Sequence, residues 1–365
     1  MINIFHPAIF RRQWLKQLGK VFKTRWIGQA EKTAEFEKQF AQKYDYEYCI
    51  ALNSGTAGLE LAYKLAGIGK GDKVITPVLT CTATNIPLLR LGAEIVFCDI
   101  NYTNWTASYS DIKSKLKGVK AIVLVNLGGL RCNEQIYRLA ERNGIKVIVD
   151  ACQSLGIEEL EGDYVVYSFQ AIKHFTTGDG GMLCVRNKDD YERAKKLRWF
   201  GIDREKKKLN DWQPYKGRMM TMDIEEAGYK FHMNDIQAVM GLVGLKNSDK
   251  LLKHRNKIAD IYDSYLNAVH KVRGGSYWLY GIVIPKRHEK AIILRKQYGI
   301  ETNMAHLRND IFDVFGGERQ NLEFMNKLEK EYLYIPLHQG ITVKQAHYIG
   351  KSLKEVIGDE VQVSG

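Results

Sequence analysis

The sequence predicts an α/β protein: a mostly parallel central sheet sandwiched by helices, followed by a smaller α+β C-terminal domain. Two observations carry that expectation. Between residues 56 and 186, apolar runs of strand length alternate with stretches whose apolar residues recur every three or four positions. Near residue 233 the pattern becomes one long helical region, and the tail beyond it mixes strand and helix signals.

The strand candidates are, in order, 73–77 (KVITP), 94–98 (EIVFC), 120–125 (KAIVLV), 146–150 (KVIVD), 164–169 (YVVYSF) and 182–185 (MLCV). A helix is expected over 56–66 and another over 134–142 (EQIYRLAER), where Ile136, Leu139 and Ala140 share a face. The long helical region has Asn or Asp available as its cap, and its length suits a connector between domains. The tail opens on a strand near 277–284 (YWLYGIVI) and ends on a helix near 343–356. The expected division is a large domain over 1–245, with an N-terminal arm, and a small one over 246–365. Residues 206–223 have little periodicity and carry Trp212, Pro214 and Tyr215, which reads as an irregular surface excursion of the kind that often holds function.

With 365 residues and 45% apolar content, the chain can bury a large core without help from metals or disulfides. The six cysteines show no CxxC spacing, and Cys49, Cys98, Cys152 and Cys184 sit in or beside apolar runs. They read as reduced, mostly buried thiols of a cytoplasmic protein, and no metal site is expected. No apolar stretch approaches the roughly 20 residues of a membrane helix, and the opening MINIFHPAIFRR lacks a leader pattern. The net charge is +12, but the basic residues are scattered, with small clusters at 204–208 and 250–257, and no nucleic-acid-binding module accompanies them. Positive potential of this kind suits a small anionic substrate such as a nucleotide diphosphate.

Three segments make chemical sense together. Residues 53–58 (NSGTAG) precede a helix, and small residues there let backbone N–H groups approach a phosphate, with the Thr56 hydroxyl as a further donor. The same residue types also cap ordinary helices. Asp150, in DACQ at the end of KVIVD, stands at the edge where open α/β sheets bind ligands, and a carboxylate there can keep a pyridine nitrogen protonated. It could equally cap the helix that follows a strand. Lys173, in SFQAIKHFTTGDGG between two strands, has an apolar approach that would make it a usable amine nucleophile. The plainer alternative is a surface lysine in a turn.

These segments resemble the DegT/DnrJ/EryC1/StrS family of sugar aminotransferases, fold-type-I enzymes of pyridoxal 5'-phosphate (PLP). The resemblance runs in order through TRWIG (24–28), EFEKQF (35–40), NSGTAGLELA (53–62), GDKVITPVLTCTAT (71–84), VDACQSLG (149–156), SFQAIKHFTTGDGG (168–181), GYKFHMNDIQAVMG (228–241) and YIPLH (334–338). It implies that Lys173 holds PLP as a Schiff base and shuttles protons. Asp150 would pair with the ring nitrogen, Gln153 would lie by the phenolic oxygen, and Ser54, Gly55, Thr56 and Ser168 would surround the phosphate. It further implies a homodimer with shared active sites, in which His232 reaches the partner's phosphate; a packed interface histidine is the alternative. Trp26, His306 and His338 are placed near the substrate, where such side chains could also be packing.

The implied reaction takes an amino group from glutamate to a nucleotide-linked keto-deoxysugar, of which a 4-keto-6-deoxyhexose is the commonest type in the family. Three departures stand out, one being a span from Asp150 to Lys173 that is shorter than in most relatives. Cys81 occupies the position where relatives stack an aromatic ring on the cofactor, and 125–129 read VNLGG where relatives often read VHLYG. Two other readings stay open: a sugar 3-dehydratase of the same family, which carries histidine in place of the Schiff-base lysine, and a non-catalytic PLP-fold regulator.

Overall fold

The computed structural model describes residues 1–159, 161–204, 224–266 and 275–357. The excursion expected over 206–223 lies outside these residues. Seven strands form the central sheet: β1 (Tyr48–Leu52), β2 (Lys73–Pro77), β3 (Glu94–Cys98), β4 (Val119–Val125), β5 (Lys146–Asp150), β6 (Tyr164–Ser168) and β7 (Gly181–Val185). Their spatial order is β1-β7-β6-β5-β4-β2-β3. β7 runs antiparallel to both neighbours, and the remaining pairs are parallel.

The strands read as unbroken apolar runs because both faces of the sheet are covered. Along β5, Val147 and Val149 enter a core with Phe36, Phe40, Ile122 and Leu124. Ile148 enters the opposite core with Leu59, Leu61, Val123 and Val166. The expected helices appear as Gly55–Leu65 and Glu134–Arg142. The first lies so close to the sheet that a Cβ on Gly58 would stand 2.7 Å from a Val166 methyl.

The long helix, Asp235–Asp263, begins in a capping box between Asn234 and Gln237. Its C-terminal half places Ile258, Ala259 and Tyr262 in an apolar cluster around a two-stranded sheet, β8 (Tyr280–Val283) against β9 (Tyr332–Ile335). The last described helix, Val343–Ile357, closes that cluster through Ala346, Ile349 and Leu353. All six cysteines are free, with Cys81 and Cys152 only partly buried. Among the described residues no helix is long and apolar enough to cross a membrane, and no group of histidines, cysteines and acids could hold a metal.

Candidate active site

Register places the candidate residues at one edge of the sheet. Asp150 closes β5 opposite Val125 of β4 and Val166 of β6, so Asn126, Asp150 and Ser168 leave the sheet at the same carboxyl end. Asp150 is buried, and its carboxylate has two donors: the Thr84 hydroxyl at 2.8 Å on Oδ2 and the Cys152 N–H at 3.1 Å on Oδ1. A buried carboxylate needs such donors to remain an anion.

Next to it stands the N-terminus of helix Gly55–Leu65. The Ser54 hydroxyl caps it by accepting the Ala57 N–H at 3.0 Å, while intrahelical geometry leaves the Gly55 and Thr56 N–H groups for other acceptors. A Cβ on Gly55 would lie 2.9 Å from Ser168 Cβ and 3.0 Å from Cys152 Sγ. Only glycine lets the helix end, the β6 end and the DACQ segment crowd together in this way. Helix N-terminus and serine hydroxyl thus make one small cradle with the donor set of an anion site, beside the Asp150 carboxylate.

Lys173 sits in the loop between β6 and β7, its N–H donating to Gln170 O at 2.9 Å. Its ammonium lies 4.5 Å from the centroid of the Trp278 ring, and Trp278 is tied to the same loop by an indole N–H to Ile172 O bond of 3.0 Å. The Lys173 charge is near enough to act on Cys81, Cys152 and His306. Burial pushes the Cys81 thiol above its ordinary pKa. His174, the next residue, is buried with Nε2 at 2.9 Å from Ser276 O, and burial holds its pKa well below the ordinary histidine value.

Gln153 and His306 form the far wall. Gln153 Oε1 accepts the Gly128 N–H at 2.8 Å, which turns the amide NH2 toward His306 Nε2, 3.1 Å away. Nε2 must then accept, so the imidazole is neutral with its proton on Nδ1. Burial, with the nearby Lys173 charge adding to it, pushes the His306 pKa down to about 4. Its ring stacks on Trp278, centroids 5.9 Å apart and planes 7° apart.

The other three candidates make different contacts. His338 has both nitrogens committed, Nδ1 accepting from Gly340 N–H at 3.1 Å and Nε2 donating to Asn3 O at 3.0 Å, and it stacks on His6. Trp26 is 59% exposed and lines a concavity with Gln29, Arg198 and Arg204. His232 bridges to Leu52 beside the end of β1, edge-on to Trp199 at 4.0 Å between centroids. Its Nδ1 is buried and has no hydrogen-bond partner among the described residues. Sequence reasoning missed Thr84 and Trp278. Thr84 was visible only as one more threonine in TCTAT, and nothing in YWLY marks Trp278 as a neighbour of Lys173.

Comparison with known proteins decides the family. The model of the DegT/DnrJ/EryC1/StrS aminotransferase family matches residues 9–354. The chain belongs to this family. It is 27% identical to the spore coat polysaccharide biosynthesis protein SpsC of Bacillus subtilis over 97% of this chain and 98% of that one. It is also 27% identical to the GDP-perosamine synthase of Escherichia coli O157:H7, over 98% and 99% of the two chains. Among solved structures, the sugar aminotransferase CalS13 of Micromonospora echinospora superposes with a TM-score of 0.89 at 25% identity, over 97% and 100% of the chains. The fold is therefore that of the fold-type-I PLP enzymes, and the chain is an enzyme of a PLP-dependent sugar aminotransferase family. The cradle has the composition that PLP requires: a lysine amine, a buried carboxylate, and a helix N-terminus that only glycine lets approach them.

Proposed function

We propose that this chain moves an amino group from glutamate to the ketone of a nucleotide-linked 4-keto-6-deoxyhexose, acting as a homodimer with shared active sites. The observation that carries the reading is the gathering of Lys173, Asp150 and the Gly55–Ser168 cradle at one sheet edge. PLP, when bound, supplies an electron sink through its pyridine ring. Lys173 is the residue to hold it covalently and, once released, to move protons on the substrate carbon. Asp150 faces the ring nitrogen, Gln153 the phenolic oxygen, and Ser54, Gly55, Thr56 and Ser168 the phosphate. Cys81 would offer the ring face less stacking area than an aromatic side chain.

His232, with an unused buried nitrogen, is the group to meet the partner's phosphate, and Trp26 and His306 are the substrate-side candidates. The committed nitrogens of His338 favour packing there. Nothing favours the dehydratase reading, since His174 is turned into the core and Lys173 is near enough to act on Cys81, Cys152 and His306. The similarity to a GDP-perosamine synthase supports a nucleotide-linked sugar as the substrate class.

The test is an absorption spectrum with and without glutamate, backed by Lys173→Ala. A visible band that glutamate moves to shorter wavelength, and a variant without turnover, are the expected results. Appreciable turnover by Lys173→Ala would sink the assignment.

A further inference from the structure

The carboxylate of Asp150 is the end of a longer buried polar chain. Thr84 has one hydroxyl proton and gives it to Asp150 Oδ2 at 2.8 Å. Thr80 Oγ1 lies 2.8 Å from Thr84 Oγ1, so Thr80 must be the donor in that bond. The main chain of Thr80 is fixed in turn, because its carbonyl accepts the Asn309 amide at 2.7 Å. Asn309 Oδ1 accepts from Asn85 at 2.9 Å, and Asn85 Oδ1 accepts from Thr76 at 2.8 Å. Thr76, Thr80, Thr84, Asn85 and Asn309 are all buried.

Five buried polar side chains are costly unless each is partnered, and here each bond fixes the direction of the next. Asn309 also lies three residues beyond His306, and its N–H donates to Val78 O at 2.7 Å. The segment that carries His306 is thereby docked on the segment that holds Thr80 and Thr84.

Resting on the functional reading above, we propose that Thr84 is a positioning residue that sets the plane of the Asp150 carboxylate toward the cofactor's ring nitrogen, with Thr80 and Asn309 fixing Thr84. With Oδ2 taken by Thr84 and Oδ1 by the Cys152 N–H, the carboxylate has one orientation, and its remaining lone pairs are left for the ring. Removing the hydroxyl frees rotation about the Cβ–Cγ bond and leaves a buried anion one donor short. The Thr80 hydroxyl is the other acceptor within reach of the Thr84 proton, and the charged carboxylate outcompetes it.

Thr84→Val keeps the shape and deletes the donor; Thr84→Ser keeps the donor. The measurements are PLP affinity by titration, the pH at which the visible band of the loaded protein changes, kcat and KM for the keto-sugar, and thermal stability. In Thr84→Val we expect PLP affinity and kcat each to fall about tenfold, the band's pH midpoint to move, and KM to change less than about twofold. Thr84→Ser should restore most of each. Should Thr84→Val not fold, Thr80→Val leaves the Thr84 donor in place but loosens it, and the same shifts should appear at about threefold. A wild type that binds PLP normally, beside a Thr84→Val variant altered in thermal stability alone, would overturn this inference and leave the functional reading intact. A wild type that binds no PLP would overturn both.

Discussion

At the scale of single residues, the site is built from groups whose protonation is dictated by their neighbours. His306 is the clearest case, since the Gly128 N–H orients Gln153 and Gln153 in turn makes Nε2 an acceptor. Protonating Nε2 would set two donors against each other beside the Lys173 ammonium. The folded pKa of about 4 lies below the ordinary histidine value of 6.5, so the fold favours the neutral ring. This stability is present above the unfolded pKa and is lost as the pH falls from about 6.5 toward about 4. His306→Gln keeps an acceptor for Gln153 but cannot titrate. In urea unfolding between pH 7 and 4, the wild type should lose more stability than the variant, by at most about 3 kcal/mol. Parallel pH profiles would show that His306 is not the titrating group. His232 and His338, also held at about 4 by burial, contribute in both proteins and cancel in the difference.

At the scale of elements, the long helix does more than connect. Helix Glu31–Tyr44 has Ala30 at its cap position, which offers no side-chain acceptor. Asp235, from the first turn of the long helix, takes that place: its carboxylate accepts N–H groups from Ala30, Lys32 and Thr33 and the Thr33 hydroxyl, all within 3.0 Å. One buried carboxylate thus completes the start of a helix some two hundred positions earlier in the chain. Such a cap is invisible in sequence, where Asp235 reads only as a cap for its own helix. The same limit explains β1: YCIAL is an apolar run like the others, but it pairs with β7, far along the chain, ahead of the alternation that revealed β2 to β7. The reversal of β7 was equally hidden, because a strand buried on both faces carries no mark of direction. Lys173, Asp150, Gly55 and Ser168 were legible because their chemistry is written in short motifs. Thr84 and Trp278 act only through contacts made by folding, the first 66 and the second 106 positions from its hydrogen-bond partner.

At the scale of the whole molecule, the candidate residues fall into two groups. Lys173, Asp150, Gln153 and His306 converge, whereas Trp26 lines a separate concavity and His232 packs on Trp199. The N-terminal segment that carries Trp26 also exposes Leu15, Phe22 and Ile27, apolar side chains of the kind that partners cover. The proposed homodimer accounts for both facts if the His232 side of one protomer completes the Lys173 side of the other. That arrangement has a consequence no single-chain site shares. Lys173→Ala and His232→Ala should each impair the pure dimer, because every site lacks one of the two groups. In a mixed dimer both lesions fall in one site, and the other site keeps Lys173 from one chain and His232 from its partner. Unfolding and refolding the two variants together at equal amounts should therefore restore activity to about a quarter of the wild type, since about half of the dimers are mixed and each has one good site. The refolded variants alone give the baseline. If the mixture is no more active than their average, His232 serves its own protomer or none, and the shared-site assignment fails even if the protein proves to be a dimer.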